Sequence, residues 1–147
     1  MPDSAPVLRA RFADAILNAA ADAVIACDRS GMICFWSPGA TRIFGFESAD
    51  AMGKSLDIII PERLRARHWD GFHAMMRSGR SRYPEGHLLS APGRRKDGAQ
   101  ISVEFTVVML KDDDGQTTNI VAVMRDVTAR FEEIKALRKQ LRESTAG

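Results

Sequence analysis

The chain has 147 residues, 45% of them hydrophobic and 27% charged, which suits one soluble domain with a single core. Its 21 Lys and Arg against 19 Asp and Glu leave a formal net charge of +2, too balanced to point to nucleic acid. Two cysteines, Cys27 and Cys34, make no disulfide framework and imply a reducing compartment. No apolar run approaches the ~18 residues that span a bilayer, and MPDSAPVLRARF lacks a secretory pattern. The expected location is cytoplasmic, without membrane association.

Residues 1–7 are polar and carry proline, so a loose arm is expected. Residues 8–20 place Leu8, Phe12, Ile16 and Ala20 four apart, one stripe of an amphipathic helix. Ala23–Cys27 and Met32–Trp36 flank Asp28-Arg-Ser-Gly31 and read as a hairpin. Ser37-Pro38 then opens a short helix, with Ser as the N-cap and Pro at the first helical position. Pro61 opens the longest central helix, about 61–78, which Gly79 closes.

Three strands are predicted next. The first covers about 85–95 and ends in the basic turn GRRKDG. The second, ISVEFTVVML, sets Ile101, Val103, Phe105, Val107 and Met109 against Ser102, Glu104 and Thr106. The third is NIVAVMRD. From Thr128 the spacing turns helical, with Phe131, Ile134, Leu137 and Leu141 forming a short seam. Such a seam is too exposed to stand alone and calls for a second copy. The order predicts an α+β domain: a five-stranded antiparallel sheet, short helices on one face, and a helix at each end.

The central helix holds the residue of interest. Leu64, His68, Gly71, Phe72 and Met75 share one face on a 3.6-residue period, while Arg63, Arg67, Asp70 and Arg77 are expected to turn away. His68 should therefore point toward the sheet. It is either a packed core histidine bonded to a carbonyl or water, or a metal ligand. Gly71 costs roughly 1 kcal/mol against Ala inside a helix, and its missing side chain makes room for a flat ligand. His73 is expected to be solvated. No P-loop, HExxH, CxxC or kinase motif is present, so catalysis has no support in the sequence.

VIACDRSGMICFWSPGATRIFGF, GRRKDGAQISVEF and VAVMRDVTAR, in that order and spacing, resemble the PAS domain family over about residues 10–142. The family usually has Asn where this chain has Ser37. The resemblance implies a PAS fold, with residues 8–127 as a sensor domain and 128–147 as a signalling or dimerisation helix. It also implies a sensory role in signal transduction, with a downstream output domain or partner. RARHWDGF followed by RRKDG resembles the FixL- and Dos-like haem-binding oxygen sensors, in which a histidine of this helix holds the iron; the matching position is His68.

That resemblance implies a ligand set. Haem b would be held by His68, with His87 as a sixth iron ligand or a hydrogen-bond donor to a diatomic gas. By its place after the central helix, His87 reads first as an exposed residue at a strand start, and the ligand role is what the resemblance adds. Leu88 and Leu89 occupy the region where FixL-like sensors place an arginine. Phe72, Met75, Leu89, Phe105, Val107 and Ala122 would wall the cavity, and Arg77, Arg80 and Arg82 would meet propionates. The alternatives are a haem-free ligand-binding or dimerisation module, or a noncovalent flavin; no reactive cysteine lies on the central helix for covalent flavin chemistry.

Overall fold

The computed structural model describes residues 2–81 and 86–146. Helix α1, Ala5–Leu17, starts earlier than its stripe suggests, because the Ser4 hydroxyl caps it by accepting from Val7 N and Pro6 suits the first turn. The hairpin follows as β1, Ala23–Asp28, and β2, Ile33–Trp36. Its turn is held by Asp28, whose carboxylate accepts from the N–H groups of Ser30 and Met32. Two short helices come next, α2, Pro38–Phe44, and α3, Ser48–Ala51.

Ser37, the departure from the family's usual Asn, caps α2 by accepting from Ala40 N at 3.3 Å. It also accepts from Val24 N at 2.8 Å, tying α2 to β1. Two 3₁₀ turns, Leu56–Ile59 and Glu62–Leu64, lead into α4, Arg65–Ser78, so the predicted 61–78 helix begins as a 3₁₀ turn. Gly79 ends α4 in the left-handed conformation that spares a Cβ penalty. Then come β3, Leu89–Arg94, β4, Gln100–Lys111, and β5, Thr117–Asp126, with α5, Thr128–Ala146, at the end.

The five strands form one antiparallel sheet in the order β2-β1-β5-β4-β3. Its register builds a series of rungs: Leu89 opposite Phe105 opposite Met124, Val107 opposite Ala122 opposite Ile25, and Met109 opposite Ile120 opposite Cys27. These residues point to the helical side. One buried cluster joins Ile25, Ile33, Trp36, Ile43, Phe44 and Val103; a second joins Cys27, Phe72, Met76 and Ile120. The alternating rungs, Val108 opposite Val121 and Thr106 opposite Val123, point to the other side.

The passage from β5 to α5 is tied to β4. Val127 N donates to Ser102 O, Ser102 N donates to the Thr128 hydroxyl, and Asp126 accepts from Thr128 N. Among the described residues no helix is long and apolar enough to cross a membrane.

Candidate functional site

Between the two buried clusters the sheet and α4 do not close on each other. They enclose a cavity of about 1030 Å³, at the upper end of the range for small-molecule and cofactor sites. Its back wall is the inner rungs of the sheet: Ile25, Phe105, Val107, Ile120, Ala122 and Met124. Its opposite wall is one face of α4.

That face follows from helical spacing. Leu64, Arg67, His68, Gly71, Ala74, Met75 and Ser78 all line the cavity, and at 100° per residue they form one stripe centred on Gly71. A Cβ built on Gly71 would meet nothing within 4 Å. The middle of the wall is therefore bare backbone, and the cavity owes part of its breadth to one missing side chain. Phe72 and Met76 pack beside this stripe as the buried edge of the helix.

His68 stands at the junction of stripe and buried edge, half-buried, with its ring edge-on to Trp69 at 4.7 Å between centroids. Its Nδ1 is buried, and it has no hydrogen-bond partner among the described residues. A core histidine satisfied by a backbone carbonyl is therefore not what the described residues build. Burial lowers its pKa from the ordinary value; Asp57 pulls it back up and His73 pushes it further down. The neutral imidazole, the form that binds metals, is thereby favoured.

Trp69 fixes the helix from its other side. Its indole N–H donates to Asp57 Oδ1 at 2.7 Å, and its ring lies over Gly31, where an added Cβ would stand 2.1 Å from it. Gly31 also has φ of 81°, so both backbone and space call for glycine there. His73 is exposed and stacks on Trp69.

The residues expected at the site divide cleanly. His68, Phe72, Met75, Leu89, Phe105, Val107 and Ala122 all line the cavity. His87 and Leu88 do not: both are exposed, ahead of β3. Alternation explains Leu88, since Leu89 faces inward and its neighbour must face out, beside Glu104 and Val123. Of the arginines offered for a ligand's carboxylates, Arg80 lines the cavity, Arg77 does not, and Arg82 lies outside the described residues.

Arg67 and Asp70, expected to turn away, also line the cavity. The cavity opens along the helix, and charged flank positions form its rim while remaining exposed. Ile25 and Cys27 are wall residues that the sequence pattern does not reveal. The Cys27 thiol is nearly fully buried, and burial pushes its pKa up to about 12; β1 is buried on both faces and so shows no alternation to read.

The chain is similar to the sensor protein FixL of Bradyrhizobium diazoefficiens, 28% identical over 127 residues, covering 82% of this chain and 25% of FixL. It is similar to the oxygen sensor protein DosP of Escherichia coli K12 at 22% identity, covering 73% of this chain and 13% of DosP. It thus spans a quarter or less of these curated relatives. Among solved structures, the PAS domain of a Colwellia psychrerythraea protein superposes with a TM-score of 0.70 at 19% identity, covering 84% of this chain and 98% of that one. An RNA-binding light-oxygen-voltage receptor reaches 0.70 at 16% identity, covering 99% of this chain and 42% of the receptor. The PAS domain family profile matches residues 21–129, which run from the approach to β1 through every strand into the start of α5. With the sheet order, the cavity and the helix that walls it falling inside that match, the chain belongs to the PAS domain family.

Proposed function

We propose that this PAS domain senses a diatomic gas or redox state through b-type haem bound in the cavity, with His68 as the iron ligand. One observation carries the reading: a half-buried histidine, held toward its neutral form, lines a broad apolar cavity whose helical wall is bare at Gly71. The likeness to proteins named as a sensor and an oxygen sensor supports it.

The residues fit the group. His68 offers an imidazole, Phe105, Val107, Ala122 and Leu89 offer an apolar wall, and Arg67 and Arg80 offer guanidinium groups to carboxylates at the rim. Bound iron would supply reversible gas binding or a change of redox state. The chain's own part is to hold the imidazole neutral and keep the sheet face dry. A shift of that sheet would reach α5 through the Ser102–Thr128 and Ser102–Val127 hydrogen bonds, and from α5 an output domain or partner.

The test is colour. Protein produced with ample haem should show a Soret band that is absent in His68→Ala. A colourless wild type, or a yellow one with a flavin spectrum, would contradict the proposal and favour a haem-free or noncovalent flavin site.

A further inference from the structure

The two walls of the cavity differ in chemistry. Among the described lining residues, every charged or imidazole side chain, Arg67, His68, Asp70 and Arg80, comes from α4 or the turn just after it. The sheet wall is apolar. Its centre is the rung of Val107, Ala122 and Ile25, flanked by Phe105 and Met124 on one side and by Ile120 on the other. Phe105, Val107 and Met124 face inward yet are only half-buried, so this wall meets whatever fills the cavity. Ala122, a short side chain between two branched ones, sets the middle of the rung back and leaves a dent there.

Hydrogen-bond donors are scarce on this wall. Among the described residues, two of its side chains carry a polar hydrogen. The Cys27 thiol is a weak donor and is only 2% exposed, opposite Ile120. Ser90 is exposed next to inward-facing Leu89, so alternation turns its hydroxyl away from the cavity. β4 and β5 are inner strands, and their N–H groups are engaged in the ladders of the sheet.

With His68 holding iron from the helix wall, the remaining position on the iron faces the sheet wall; the inference rests on that haem reading. Oxygen held at ferrous haem draws negative charge onto itself and is retained by a donor placed beside it. Carbon monoxide stays close to neutral and needs none, so the donors and polarity of the pocket choose between the two gases. We propose that this site selects carbon monoxide against oxygen, with the dent at Ala122 seating the gas and Val107 beside it offering no donor. The gas then differs from the one in the name of the oxygen-sensor relative.

Laser photolysis of the carbon monoxide form of the haem-loaded chain, in mixtures of carbon monoxide and oxygen, reads both affinities. The wild type should bind carbon monoxide at least about a hundred-fold more tightly than oxygen, and should stay less than half-saturated with oxygen in air. Val107→Gln places an amide donor beside the gas and should tighten oxygen binding about ten-fold or more, with little change for carbon monoxide. Leu89→Gln, on the half-exposed edge strand, is the second variant and should move the ratio the same way. Ala122→Val fills the dent and should slow carbon monoxide rebinding while leaving the Soret band. A wild type more than half-saturated with oxygen in air would overturn the inference while leaving haem binding in place. So would unchanged gas ratios in both glutamine variants, or a loss of oxygen affinity in Arg80→Ala, which would show a rim guanidinium reaching the gas. A chain with no Soret band fails at the haem reading itself and takes this inference with it.

Discussion

The Trp69 indole N–H donates to the Asp57 carboxylate at 2.7 Å, one residue from His68. This bond pins α4 to the Leu56–Ile59 turn while the Trp69 ring rests on Gly31 of the β1–β2 turn. It thereby sets the rotation of α4, and with it the direction of the His68 imidazole. Trp69→Phe keeps most of the packing and removes the bond to a carboxylate, at a cost of about 2 kcal/mol. Urea unfolding should show this loss, and Asp57→Asn, which keeps a neutral acceptor, should lose less.

At Gly71, stability and binding should part company. Gly71→Leu replaces a poor helix residue with a good one, worth about 1 kcal/mol, and its side chain projects into open space in the cavity. The variant should melt at or above the wild-type temperature and yet fail to take up haemin or an apolar dye. A thermal melt beside a binding titration checks both halves.

The His68 pKa is depressed in the folded chain by burial. Below its ordinary value of 6.5 the unfolded chain binds a proton that the folded chain resists, so stability falls as pH drops through that point. The fall stops once the pH is below the folded value, where both states are protonated. Denaturant midpoints measured on either side of pH 6.5 should show the drop, and His68→Gln should flatten that part of the profile.

The two cysteines should behave oppositely. Cys34 is exposed, whereas Cys27 is buried at the cavity wall with its pKa pushed to about 12. A thiol reagent at neutral pH should modify Cys34 quickly and Cys27 only on opening or unfolding. Occupying the cavity should slow Cys27 further. Equal, fast reaction of both thiols would contradict the placement of Cys27.

How legible each residue is in the sequence depends on how its surroundings shape the local pattern. β4 faces core on one side and solvent on the other at Val107 and Val108, so its alternation is plain. β1 is buried on both faces, and Ile25 and Cys27 give no sign of which side they face. On α4, period alone places His68, Gly71 and Met75 on one stripe. Charge misleads at Arg67 and Asp70, which read as solvent-facing but form the rim of an open cavity, where exposure and lining are compatible. His87 and Leu88 are assigned to the site through resemblance, and the side each takes depends on where β3 begins, at Leu89. No local pattern announces that boundary. The hydrogen bond between Trp69 and Asp57 joins residues twelve apart through a 3₁₀ turn, beyond the reach of any helix or strand period.

Everything proposed for the cavity turns on whether His68 binds haem iron. Titrating the haem-free chain with haemin, followed by Soret absorbance, decides it. The wild type should bind saturably at one equivalent. His68→Ala should lose that spectrum and recover it when free imidazole is added. The same spectrum and affinity in wild type and His68→Ala without imidazole would contradict iron ligation by His68.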